Sequence, residues 1–185
     1  MLTTLLVEHP WLTTTGLVGL VVLGPVLGAV LVGRRRTTTA LLVLAVLAVA
    51  ALTLTPTARD MAITCAVEWS LPRPGAVETA ANLLLFAPIT LLAGVLTRRP
   101  VPVVLVASAA SALVEVGQAL VPALGRSCST NDWWFNTLGA VLGAALALAA
   151  LALHRRFGEH GDGAPAHSAG SEPASRVEGS TGRIS

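Results

Sequence analysis

The stretch VPVVLVASAASALVEVGQALV, Val101 to Val121, carries a single formal charge along its whole length. An apolar run of about 20 residues is long enough to cross the hydrocarbon core of a bilayer as a helix. Yet this one contains Glu115 and Gln118. A carboxylate in hydrocarbon costs at least ~2.5–3.5 kcal/mol on insertion scales, so it is found there with a partner or a task. Ser111 lies one helical turn before Glu115 and Gln118 nearly one turn after it, which gives the three a shared face.

The rest of the chain repeats the pattern. Of 185 residues, 54% are hydrophobic and only 12% charged, about half the charged fraction of an ordinary soluble domain. Five apolar blocks stand out: Leu12–Gly33, Thr38–Thr55, Ala80–Leu96, Val101–Val121 and Asn136–Leu153. They predict an all-α fold, a polytopic membrane bundle of five transmembrane helices. The amino end has no Lys or Arg before its apolar run, so the first block reads as a retained helix rather than a cleaved secretory signal. From about Phe157 the chain turns to Gly, Ser, Ala and Pro without apolar periodicity, which predicts a disordered tail. The expected organisation is an extra amino-terminal helix over residues 1–37, a four-helix core over 38–153, and the tail over 154–185.

Charge sets the expected orientation. Arg34–Arg36, Arg98 with Arg99, and Arg155 with Arg156 follow the first, third and fifth blocks, whereas the alternate loops hold as many acids as arginines or more. Arginine excess on the cytoplasmic side then gives an outside amino terminus and an inside carboxyl terminus, in a bacterial inner membrane. The net charge of +2 and the absence of a basic stripe argue against a nucleic-acid partner. No GxSxG elbow, HExxH or phosphate-cradling glycine loop is present, which argues against ATP-driven work; two Cys with no outer His nearby fall short of a zinc set, so no cofactor and no metal are expected.

In that orientation the polar residues gather at the outer end. Glu78 and Asn82 open the third helix, Asp132 and Asn136 open the fifth at the same spacing, and Arg126 lies in the loop before it. Glu115 is expected to face inward, bonded to Asn82, Gln118, Asn136 or Arg126. The bland alternative is that these side chains only hold helices together, at roughly 0.6 kcal/mol per contact. Cys65 and Cys128, the only cysteines, both fall in outer loops, where a disulfide between them is feasible. Pro88 is expected to bend the third helix, and Gly139 and Gly143 to admit a close helix neighbour. Trp69, Trp133 and Trp134 read as interfacial indoles, and His154, His160 and His167 as solvated tail residues.

Two segments resemble the VanZ-like family. ETAANLLLFAPITLLAG is similar to its first signature at Glu78, Asn82, Phe86, Pro88 and, more loosely, Gly94. The second signature is matched at Glu115, Gln118, Arg126, Asp132, Asn136, Gly139 and Gly143, with Ser129 where many members carry Asp. The resemblance implies a bacterial envelope protein related to one that lowers susceptibility to the glycopeptide teicoplanin. Two functions follow as expectations. In the first, which we favour, a non-enzymatic outer pocket binds a membrane lipid or lipid-linked envelope molecule. In the second, an intramembrane enzyme acts on a lipid or polyprenyl phosphate, with Glu115 or Asp132 as acid or base and Arg126 holding the phosphate.

Overall fold

In the computed structural model the described residues are 8–56, 65–71, 76–121, 125 and 128–161. They form five helices: α1 (Trp11–Leu31), α2 (Arg35–Leu54), α3 (Val77–Thr97), α4 (Pro100–Leu120) and α5 (Thr130–Gly161). All five are long and apolar enough to cross a membrane. Among the described residues there is no strand, only an isolated bridge between Ala66 and Ser129.

The turns follow from local chemistry. Pro100 takes the first position of α4, where its missing N–H costs nothing. It also excludes Arg99 from helical backbone, and Arg99 sits at φ −133°, ψ 71°. The reversal is completed by Arg98 at φ 56°. Between α1 and α2 the left-handed position is Gly33, and the buried Thr38 hydroxyl donates back toward the Leu31 and Arg34 carbonyls.

Helix α5 is the central element and α2 the outermost. The apolar window of α5 is 44% buried and that of α2 only 11%. The most extensive seam joins α3 to α5, where Ala87, Ala140 and Ala147 are fully buried. Small residues make the approach possible. A Cβ on Gly139 would lie 2.6 Å from the Leu83 carbonyl oxygen, and one on Gly143 would collide with Thr90 and the Ala87 carbonyl. Further along, Gly28 of α1 and Gly94 of α3 face Ala150 and Ala147 in the same way. Leu44, Leu47, Leu105 and Leu113 stay exposed on the perimeter, a belt suited to hydrocarbon.

The amino end of α3 lies three residues before the expected block, and α5 extends beyond its block at both ends. Hydropathy locates the part of a helix that lies in lipid, but backbone hydrogen bonding needs no apolar side chain. Nothing in HRRFGEHG contains proline, and cations near a helix carboxyl end are favoured by its dipole. The boundary expected at residue 154 therefore falls inside α5, with the helix continuing to Gly161. His154, expected in the solvated tail, donates from Nδ1 to the Ala29 carbonyl at 3.1 Å. Pro88 lies within α3, which continues unbroken to Thr97. Residues 162–185, with His167 and the rest of the expected tail, lie outside the described residues.

Candidate functional site

At the end of the bundle opposite the arginine turns, α5 begins with Ser129-Thr130-Asn131-Asp132. That spacing is a capping-box signature, in which a hydroxyl caps the first turn and the acid three residues on accepts the cap's own N–H. The first half forms: Ser129 Oγ accepts the Asn131 N–H at 3.1 Å. The second half is supplied from another helix. Glu115 of α4 accepts the Ser129 N–H through Oε2 at 2.9 Å. Asp132 accepts instead from the Asn82 amide of α3, at 2.7 Å. A carboxylate at a helix amino end also meets the positive end of the helix dipole.

One turn deeper, Asn136 of α5 donates to Ser111 Oγ of α4 at 3.0 Å. Asn136 is only 5% exposed, and its buried Oδ1 has no hydrogen-bond partner among the described residues. Below that, Ser108 and Thr137 join hydroxyl to hydroxyl at 2.9 Å. The indole of Trp133 donates to the Ser108 carbonyl at 3.2 Å. Asp132 is within electrostatic reach of both Glu115 and Glu78, and Glu78 sits exposed in the first turn of α3. Side chains of α3, α4 and α5 thus meet at one end of the bundle, over its first two turns.

A strap covers this end. Cys65 is disulfide-bonded to Cys128, with Cα atoms 4.7 Å apart. The Ala66 N–H donates to the Cys128 carbonyl and the Thr130 N–H to the Ala66 carbonyl, at 3.0 and 3.1 Å. Thr130 Oγ1 accepts from the Glu68 N–H and donates to the Glu68 carbonyl. Asn131 Oδ1 receives both the N–H and the hydroxyl of Ser70. Trp69 then sets its ring edge-on to Trp133 and Trp134, each with centroids 6.2 Å away.

A model of the VanZ/LLP1 family matches residues 42–152. The chain belongs to the VanZ/LLP1 family. No curated protein and no solved structure matches it. The family match takes in both cysteines, the strap and every residue of the polar set, while α1 precedes it. With the five apolar helices, membership makes this a multi-pass membrane protein.

The structure divides the predicted set. Glu115, Asn82, Asp132 and Asn136 come together, although among the described residues Glu115 is held by Ser129 and not by Asn82, Gln118 or Asn136. Gln118 turns to α2, where its buried amide donates to the Thr53 carbonyl at 3.0 Å. Arg126 lies outside the described residues. Residue types alone did not single out Ser129, Thr130 and Asn131. The S-x-x-D spacing ahead of an apolar block is the signal that finds them. As the residue that caps α5, Ser129 fills a role that Asp would fill nearly as well.

Proposed function

We propose that the protein works in a bacterial cell membrane, where the polar end of α3, α4 and α5 faces outward. There it binds a membrane lipid or lipid-linked envelope molecule and lowers susceptibility to glycopeptides of the teicoplanin type. Family membership supports the setting. The orientation is supported by the arginines: Val32, Val95 and Leu151 pack in one cluster, so Arg34, Arg98, Arg99, Arg155 and Arg156 gather at the end away from the polar set.

One observation carries the binding reading. At a single end of the bundle three hydrogen bonds tie α3 and α4 to α5: Asn82 to Asp132, the Ser129 N–H to Glu115, and Asn136 to Ser111. Polar side chains so placed in a membrane protein are functional by default. The amides and carboxylates suit a donor-rich head group, and Arg126 completes the proposed site as the anchor for an anionic part of it.

The experiment is a deletion strain assayed together for teicoplanin susceptibility and membrane lipid profile, complemented with wild type, Glu115→Gln or Arg126→Lys. Higher susceptibility with an unchanged lipid profile, not restored by either variant, supports binding. Unchanged susceptibility on deletion sinks the resistance role. A second reading, acid–base chemistry on a lipid phosphate, is favoured by one observation, that the carboxylates of Glu115 and Asp132 both lie at the amino end of α5, held by Ser129 and Asn82. In that case deletion alters the lipid profile itself.

A further inference from the structure

A cleft of about 370 Å³ separates α2 from α4, with α3 as its floor. Its walls include Leu42, Val49 and Thr53 of α2, Phe86 of α3, and Val103 and Val114 of α4. Among the described residues Thr53 is the one polar residue lining it, and that hydroxyl is spent on the Val49 carbonyl at 2.8 Å. The walls therefore offer an occupant nothing but apolar surface. From Val103 to Val114 the cleft follows α4 for roughly 17 Å at 1.5 Å per residue. That is about half the ~30 Å thickness of a bilayer core, one leaflet deep.

The two ends of the cleft differ. Its far end, at Leu42 and Val103, approaches the arginine turns. Its near end stops where Gln118 bridges to the Thr53 carbonyl, with Val114 one residue from Glu115. The groove thus ends at the same end of the bundle as the polar set, none of whose residues is among its walls. Water finds no partners in it.

We propose that this cleft holds one hydrocarbon chain of a membrane lipid, laid between α2 and α4 with its head group at the Glu115 end. The head-group half rests on the function proposed above, whereas the chain half rests on the cleft alone. A volume of this size is within the ~300–1,000 Å³ range of small-molecule sites, and the complementary surface is hydrocarbon.

The test uses the full chain in palmitoyl-oleoyl phosphatidylcholine vesicles doped with phosphatidylcholine carrying a mid-chain diazirine. After photolysis, adducts are mapped by peptide mass spectrometry. Labelling is expected to concentrate on the cleft faces of α2 and α4, several-fold above the outer face of α1 around Val22, which serves as the boundary-lipid control. Ala110→Phe, which fills the cleft, should cut cleft labelling several-fold and leave the α1 signal unchanged. If that variant does not fold, Ala93→Leu narrows the same space from α3. Equal labelling of the cleft and the α1 face, unaffected by either substitution, overturns the proposal. Selective cleft labelling alongside a silent Glu115→Gln upholds the chain site and removes only the head-group assignment. Loss of function in Glu115→Gln without selective labelling overturns the chain site and leaves the polar set standing.

Discussion

The Glu115 carboxylate of α4 accepts the backbone N–H of Ser129, the residue that caps α5, at 2.9 Å. This one contact puts an acid where a capping box would place Asp132, and it leaves Asp132 able to take Asn82. Two helices are locked to the start of a third through an exchange of acids.

Substitutions at Glu115 should therefore rank by what they leave on Ser129. Glu115→Gln keeps a carbonyl oxygen to accept the N–H and should cost about 1 kcal/mol, whereas Glu115→Ala leaves a half-buried donor unpaired and should cost about 1–3 kcal/mol. Thermal unfolding in detergent measures both. A smaller loss for Ala than for Gln would contradict the contact.

Glycines should separate by what stands behind them. Gly139→Ala drives a methyl group to within 2.6 Å of the Leu83 carbonyl oxygen, part of a backbone that cannot step aside. Overpacking of this kind typically costs about 1–3 kcal/mol. Among the described residues Gly117 has no neighbour within 4 Å of an added Cβ, so Gly117→Ala should be neutral or stabilising through helix propensity alone. Melting temperatures of the two variants, compared with wild type, check the contrast.

The Cys65–Cys128 disulfide should matter to the strap more than to the bundle. Reduction, or Cys65→Ser, removes a link whose typical contribution is about 2–4 kcal/mol, while the Thr130 and Asn131 hydrogen bonds to Glu68 and Ser70 remain. We expect faster hydrogen exchange at Ala66 and Thr130 with α3 and α5 still protected. Uniform exchange throughout the chain would show that the disulfide holds the bundle itself.

The five helices were legible in the sequence because bilayer thickness imposes a length on any spanning helix, and Val101–Val121 meets it in a single run. The ends of α5 were not, because hydropathy is blind to a polar turn such as His154–Phe157 that stays helical. At the site, residue type and depth marked Glu115, Asp132, Asn82 and Asn136, but partner choice escaped. Residues three apart on a helix still diverge by roughly 60° around the axis. That divergence is enough to send Gln118 to α2 while Glu115 turns to α5. A shared face narrows the neighbours, and the crossing of helices selects among them.

The convergence of three helices on one polar end is tested most directly by a double-mutant cycle on Asn82 and Asp132. Unfolding free energies of Asn82→Ala, Asp132→Ala and the double variant, all in one detergent system, give the coupling between them. The 2.7 Å hydrogen bond predicts a coupling of at least about 0.6 kcal/mol, the average for bonds between membrane helices, whose maximum is about 1.7. Effects that simply add, to within about 0.3 kcal/mol, would mean that Asn82 and Asp132 do not tie α3 to α5 at this end.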